Sequence, residues 1–418
     1  MMTASDPIER ARAAFRERFG AEPTSLGMAP GRVELLGNHT DHNNGLVLAA
    51  AIDRTTVVAC RPTRGQESWI YSEAFDDLYG LPLHEDVPDA PGAWGRYLHG
   101  VLQAMSDRFG PPQSAFEATI AGNVPLGAGL SSSASLEGAL ALCLLNAGLF
   151  GEGQGGDSAS LDEPARMALA QTLREAENKT VGVASGLLDF VCTLLGKRDH
   201  AVALDCFSLE FERLSLGDPS PAIVVCDSKT SRHLADGKYN QRREECDRVV
   251  QFFREHPPAS SFSDPYREPP SVTSLRDLTL ADLNAYRDRL DPVGFRRARH
   301  VLTENERVRQ GIEALRRGDL AGLGRLMLDS HASSRDDFEN SSPALNALVE
   351  AAEAAPGFLG GKLCGAGWAG CTVNLVQTEQ ADAFAASVLD AYARRTGTHV
   401  EVHVCHAAEG GKAIHSNV

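Results

Sequence analysis

Apolar and polar residues are patterned unevenly along the chain, and that patterning predicts its elements. "MMTASDPIERARAAFRERFG" at the start is charged throughout and reads as an amphipathic helix. Leu46 to Ala59 is rich in Val, Ile, Leu and Ala and reads as a strand. In "SAFEATIAGNV", Phe116, Ala118 and Ile120 alternate with other residues, again a strand. "LEGALALCLLNAGLF" is apolar nearly all round and built of helix formers, which predicts a buried helix. "EPARMALAQTLREAENK" returns to helical periodicity, while "AVALDCFSLEFERL" and "AIVVCDS" read as strands. Helices are expected from about Phe295 to Leu328. After them come strands in "CTVNLV" and "HVEVHVC", separated by the helical "EQADAFAASVLDAYARR". "GEGQGGDSASLDE" and "EHPPASSFSDPYREPPSV" read as loops, and no internal repeat is evident.

Length and composition narrow the class. With 418 residues the chain exceeds one ordinary core, and a composition shift near 200–205 suggests two domains, 1–203 and 204–418. At 43% hydrophobic and 23% charged it reads as globular. A formal charge of −16 argues against a nucleic-acid binder, although a local basic patch can still serve a phosphate. The longest apolar run is too short to span a bilayer and the N-terminus lacks the apolar core of a secretory signal, so no membrane association is expected. Nine cysteines without C-x-x-C pairs fit neither a zinc ribbon nor a secreted disulfide framework, which makes a reducing cytoplasm the expected location.

Four stretches carry candidate chemistry. "PLGAGLSSSAS" sets two glycines beside a proline, then serines, then the buried helix. Glycines let backbone approach an anion, and a helix N-terminus offers free N–H groups. The alternative is an ordinary serine-capped helix, although a cap needs one serine and not four. "GLLDFVCTLLG" holds Asp189 in an apolar run, where a carboxylate is costly unless paired; a helix cap or a surface position is the plainer reading. "GNHTDHNNG" packs His39, Asp41 and His42 into a turn, open to reading as a metal site, an Asx-turn cluster or a polar cup around a ligand. "GAGWAG" has dinucleotide-loop spacing but precedes a strand rather than a helix, so it reads as a glycine-rich turn. There is no P-loop motif.

Taken in order, these motifs resemble those of galactokinases within the GHMP family of small-molecule kinases, across nearly the whole chain. "APGRVELLGNHTDHNNGLVL" is similar to the galactokinase signature and "VPLGAGLSSSASLEGAL" to the family's phosphate loop. "GLLDFVCTLLGKRDHAVALDC" resembles the segment with the catalytic aspartate, and "CGAGWAGCTVNLV" the third, glycine-rich motif. "GKYNQRREEC", "RRARHVLTENERV" and "SHASSRDDFENSSPALNALV" resemble further galactokinase segments. The resemblance implies an α+β chain of two domains, the first ribosomal-S5-like and the second ferredoxin-like, with the active site between them. It implies phosphoryl transfer from ATP, with Mg2+, to the anomeric hydroxyl of a sugar, by a protein expected to be a monomer. Asp189 would be catalytic with Arg32 beside it. Pro125, Gly127, Gly129, Leu130, Ser131, Ser132, Ser133, Ala134 and Ser135 would cradle the phosphates. Ser133 and Glu177 would hold magnesium, and Trp94 would lie near the adenine. For the sugar, Asp41 would take the hydroxyls on carbons 3 and 4, Asn38 and His39 would face carbon 6, and Gly186 and Tyr239 would complete the pocket.

Those roles suit phosphoryl transfer, which needs positioning and charge neutralisation more than covalent chemistry. Magnesium keeps its waters, so one Ser and one Glu suffice. A carboxylate accepting the sugar proton contributes roughly two to four orders of magnitude. The usual motif reads Gly-Glu-His-x-Asp-Tyr, whereas Gly37-Asn38-His39-Thr40-Asp41-His42 stands here. Losing the glutamate removes a charge that would repel a sugar acid. Galacturonate kinases of plants share both departures, so galacturonate is a rival to galactose. A third reading is a non-catalytic sugar sensor, such as family members with a damaged serine loop. The intact "GLSSSAS", Asp189 and Arg32 favour the enzyme.

Overall fold

The computed structural model describes residues 6–82, 94–150, 161–182, 185–230, 237–258 and 272–415. The expected loops at 151–163 and 255–272 lie mostly outside these residues. The first sheet comprises β1 (Ser25–Leu36), β2 (Leu46–Thr63), β3 (Glu67–Ser72), β4 (Asp77–Pro82), β5 (Ala115–Gly122), β6 (His200–Asp205), β7 (Phe211–Ser215) and β12 (Lys412–His415). The second comprises β8 (Ala222–Asp227), β9 (Phe358–Leu363), β10 (Cys371–Val376) and β11 (Glu401–Cys405). The helices are α1 (Pro7–Phe19), α2 (Gly95–Phe109), α3 (Ser132–Asn146), α4 (Glu163–Ala176), α5 (Leu187–Leu195), α6 (Lys238–Glu255), α7 (Leu280–Ala285), α8 (Pro292–Arg316), α9 (Leu320–Ser333), α10 (Pro343–Glu353) and α11 (Ala381–Thr396). None is long and apolar enough among the described residues to cross a membrane.

In the first sheet the strands run in the order β12-β1-β2-β5-β3-β4, and β6 and β7 extend from the near end of β2. β2 is long enough to serve two partners on the edge away from β1, pairing with β6 through Leu46–Ala49 and with β5 through Thr56–Thr63. Among the described residues, only the β3–β5 pair of this sheet is parallel. The second sheet is antiparallel, in the order β11-β8-β10-β9. The division expected at 203/204 therefore falls inside β6. The first sheet continues to Ser215 and recovers β12 from the far end of the chain, where Ser25 faces His415. A composition shift cannot register such pairing, because strand partners are chosen by tertiary contact.

The apolar helix expected after the serines is α3. Ala134, Leu140, Leu142 and Leu144 are wholly buried against the first sheet, along with α5 residues such as Phe190 and Val191. Its packing on β1 is tight: a Cβ on Gly27 would sit 2.1 Å from the Ala139 carbonyl, so only glycine lets helix and strand approach there. α3 thus fixes the serine loop over one end of β1. In the second half, α9 lies equally close to β9 through Gly324 and Gly360, which aims the Gly365–Gly370 turn back at β1.

Candidate active site

Between the two halves lies a cleft of about 540 Å³. Arg32, Asn38, His39, Asp41, Gly127, Gly129, Ser131, Ser132, Ser133, Glu177, Gly186, Asp189 and Tyr239 line it, so most of the residues singled out in the sequence meet in one place. Trp94 is not among the lining residues. Its indole donates to Asp77 Oδ2 at 3.0 Å and stacks on Phe75, while Tyr97 on the next turn does reach the cleft. Leu130, Ala134 and Ser135 are buried away from it. The Ser135 hydroxyl donates to the Ala29 carbonyl at 2.7 Å and accepts from the Thr56 N–H at 3.2 Å. Pro125 also falls outside the lining.

The start of α3 is not a serine-capped helix of the ordinary kind. Ser131 occupies the cap position, but with a left-handed backbone (φ 56°) and no hydroxyl bond to its own helix. That conformation is costly outside glycine and persists only where surroundings impose it. Its hydroxyl instead donates to Asp189 Oδ2 at 2.6 Å. No cap side chain therefore satisfies the first-turn N–H groups of α3, and Gly127 and Gly129, both at positive φ, bring the loop backbone alongside. Unsatisfied N–H groups at a helix's positive end make an anion site.

Asp189 sits in the first turn of α5, neither as a cap nor on an exposed face. Its Oδ1 accepts from Arg32 Nε at 2.7 Å and lies 2.6 Å from Nη2. Arg32 also donates from Nη1 to the Gly129 carbonyl at 2.8 Å. Burial alone would weaken the guanidinium's charge, but Asp189, Cys364 and Glu34 outweigh it and lift its pKa further above the ordinary value. The Arg32–Asp189 pair thus stands where the serine loop meets the 37–45 turn.

That turn is held from α8 in the other half of the chain. Glu304 Oε1 accepts from the backbone N–H groups of Gly37 and Asn38, at 2.9 and 3.3 Å. His300 Nε2 donates to the Asn38 carbonyl at 2.9 Å, and Asn305 Oδ1 accepts from the Leu46 N–H at 2.8 Å. Burial opposes the Glu304 charge, yet Arg307, His300 and Lys362 together hold its pKa down at about 2. His39 Nε2 donates to the Ala366 carbonyl at 3.0 Å, and its ring packs on Phe338 and Tyr239. Among the described residues His39 and His42 belong to no group of three or more His, Cys, Asp or Glu side chains of the kind a metal site needs. Burial pushes the His39 pKa far down, so the ring is neutral. Asp41 stays ionised: burial acts against the charge, but His42 and His39 outweigh it. The Gly186 backbone is so close that a Cβ there would lie 1.8 Å from Asp41 Oδ2. Tyr239 keeps its phenolic proton, its pKa raised by burial and then by Asp41.

Helix α4 opens into a π turn at Glu177–Val181, a distortion frequent at functional sites. It carries Glu177, whose pKa is raised chiefly by burial, with the Ser185 and Ser133 hydroxyls acting in the opposite sense. One turn along α3, Glu137 is 1% exposed and neither carboxylate oxygen has a partner among the described residues. Burial, and after it the charge of Glu177, lifts the Glu137 pKa well above the ordinary value.

Several lining residues were not foreseen. Glu34 follows Arg32 by two on the same strand, and strand alternation alone would have placed both on one face. Gly365, Ala366 and Gly367, read as a turn and as part of the third glycine-rich motif but given no place in the site, do lead into β10 as expected and also line the cleft. A smaller chamber of about 260 Å³ opens beyond Asp41 and is lined by Arg174 and Arg243, cations that the 37–45 segment itself lacks.

Comparison with known proteins agrees with this arrangement. The galactokinase galactose-binding signature matches residues 13–62, the GHMP kinases N terminal domain 96–197 and the GHMP kinases C terminal domain 312–394. A galactokinase of Roseiflexus sp. (strain RS-1) is 37% identical over 411 residues, covering 97% of each chain. A galactokinase of Homo sapiens is 37% identical over 416 residues, covering 97% of this chain and 96% of that one. The structure of Lactococcus lactis galactokinase complexed with galactose matches with a TM-score of 0.83 at 29% identity, over 97% of this chain and 99% of that one. The Methanococcus jannaschii mevalonate kinase shares the fold, with a TM-score of 0.61 at 16% identity, over 92% of this chain and 98% of that one.

Proposed function

Because the chain belongs to the galactokinase family of GHMP kinases, we propose that its cleft transfers the γ-phosphoryl group of ATP to the anomeric hydroxyl of galactose, releasing galactose 1-phosphate and ADP. The observation that carries this reading is the position of Asp189, one oxygen on Arg32 and the other on Ser131, at the junction of the anion loop and the polar turn. The triphosphate lies along Gly127–Ser133 at the start of α3, with the adenine toward the beginning of α2, where Tyr97 and Trp94 stand. The sugar rests on Asp41, His39 and Tyr239, its anomeric oxygen toward Asp189.

Asp189 accepts the hydroxyl proton as the oxygen attacks phosphorus, and Arg32 neutralises charge on the transferring group. Asp41, an ionised acceptor with two oxygens, suits a pair of adjacent ring hydroxyls. Tyr239 remains a donor. Magnesium fits the residues present. Glu177 is a buried carboxylate on the same cleft wall as the Ser133 hydroxyl, and burial disfavours its charge unless a cation compensates it. Ser133 and Glu177 would hold the ion, the remaining positions going to water and phosphate oxygens. When bound, it neutralises the phosphate charge. The enzyme acts on small molecules, in a reducing cytoplasm and as a monomer.

A uronic-acid 1-kinase is the second reading, favoured by Asn38 and by Arg174 and Arg243 beyond Asp41. That chamber, however, opens at the end of the site assigned to carbons 3 and 4, not carbon 6. The test is ADP release by the purified protein with ATP, magnesium and a panel of galactose, galacturonate, galactosamine, arabinose and glucose. Galactose should give the highest kcat/KM. Absence of turnover on every sugar would leave the non-catalytic sensor in its place.

A further inference from the structure

We infer that Glu34, not Asn38, is the acceptor that meets the carbon-6 end of the sugar, so that the site selects a neutral hexose against the corresponding uronic acid. The inference rests on the sugar-kinase reading of the cleft. Asn38 has no hydrogen-bonding capacity left for a substrate. Its Nδ2 donates to Glu34 Oε1 at 3.1 Å and to the Gly365 carbonyl at 2.8 Å. Its Oδ1 accepts from Asn340 Nδ2 at 2.8 Å, with the Ser334 hydroxyl at 3.4 Å. An amide offers two donors and two lone pairs, all of them used here, and the residue is 1% exposed.

Glu34 is placed differently. Arg32, Val33 and Glu34 pair in unbroken register with Ala51, Ala50 and Ala49. Arg32 and Glu34 therefore leave β1 on the same face, about 7 Å apart along the strand. That is about the span of one sugar ring from the Arg32–Asp189 pair. Glu34 lines the cleft beside Asn38, at the end assigned to carbon 6. One of its oxygens is pinned: Oε1 accepts from Lys362 Nζ at 2.7 Å as well as from Asn38. Its Oε2 takes no hydrogen bond from any described residue. Lys362 is wholly buried, so it stabilises the carboxylate from behind without itself presenting a charge to the ligand. A carboxylate with one fixed and one free oxygen accepts well from a hydroxyl and repels a second carboxylate. The acidic group missing at position 38 is thus supplied from position 34, with Asn38 as its donor. A glutamate at 38 would set two carboxylates against each other.

The test compares kcat/KM for galactose, 6-deoxygalactose and galacturonate in the wild-type protein and in Glu34→Gln. The wild type should favour galactose over both analogues. In Glu34→Gln the galactose to 6-deoxygalactose ratio should fall at least about tenfold, as loss of a bond to a charged acceptor implies, and the galactose to galacturonate ratio should fall with it. Equal losses on all three sugars would mean a purely structural role and overturn the inference. Absence of turnover on any hexose by the wild type would instead overturn the sugar-kinase reading. If unpaired Lys362 prevents folding of Glu34→Gln, the ratios are read in Glu34→Gln/Lys362→Met, which removes both charges. Unchanged ratios in that folded variant overturn the inference.

Discussion

Asparagine at position 189 separates chemistry from binding in this cleft. The amide has the carboxylate's shape, so its oxygen can keep the Arg32 contacts at 2.6–2.7 Å. Its nitrogen then faces Ser131 Oγ, 2.6 Å from the present Oδ2, and that hydroxyl turns from donor to acceptor. Two losses follow. The acceptor for the sugar proton disappears, which is worth roughly 10²–10⁴ in rate, or about 3–5 kcal/mol of barrier. Arg32, with its side chain 9% exposed, also loses its counter-charge. Removing one member of a buried pair costs about 3–5 kcal/mol. Asp189 is 21% exposed and the hydrogen bonds persist, so the cost here lies near or below the lower figure. The assay is steady-state ADP release, with calorimetric titration of galactose and of a non-hydrolysable ATP analogue, and a melting curve. In Asp189→Asn kcat should fall at least about 100-fold while both ligands bind nearly as before. A kcat within about threefold of wild type would refute proton acceptance by Asp189. Loss of sugar affinity in step with kcat would reassign the residue to binding.

Gly186→Ala would place a methyl carbon 1.8 Å from Asp41 Oδ2. The displaced carboxylate should raise the sugar KM by about tenfold or more and leave nucleotide binding intact; an unchanged KM would mean that Asp41 does not touch the sugar. Glu137→Gln should show its effect in the pH dependence of stability. Burial and then Glu177 raise the Glu137 pKa, so the folded state holds this proton more tightly than the unfolded chain. The resulting stability is full below pH 4.5 and is lost as pH rises through the raised value. The variant's stability advantage should therefore widen between pH 4.5 and that raised value, by up to about 1.4 kcal/mol per pH unit, and a constant difference would refute the assignment.

How much of this was legible in the sequence varies with the physics behind each feature. Local patterns were read well where burial is one-sided or complete. The apolar run after Ser135 is α3, and the alternation around Phe116–Ile120 is β5. Asp189 stood out because a carboxylate in an apolar run needs a partner, and Arg32 is that partner across 157 positions. The serine run identified the loop but not the duties of its members. Ser131 serves Asp189 and Ser135 serves the core, because the point where α3 begins decides which hydroxyls face the cleft. The division at 203/204 lies inside β6, and β6 and β12 are tied to the first sheet by pairing, which composition does not record.

Position 38 shows the limit most clearly. The sequence alone pointed to the parts of the site: a glycine-serine loop before a helix, an acid in an apolar run, a polar turn and the family that joins them. It also showed that Asn38 departs from the family pattern. Whether that departure changes the ligand depended on groups far off in the chain. Lys362 meets Glu34 across 328 positions, Asn340 meets Asn38 across 302, and Glu304 holds Gly37 across 267. Such contacts have no local signature. They exist because α8, β9 and the turn after β9 pack over the end of β1, and a buried amide or carboxylate must be satisfied by whatever that packing brings within reach. Motif chemistry is local and can be read along the chain, whereas the satisfaction of buried polar groups belongs to the folded molecule alone.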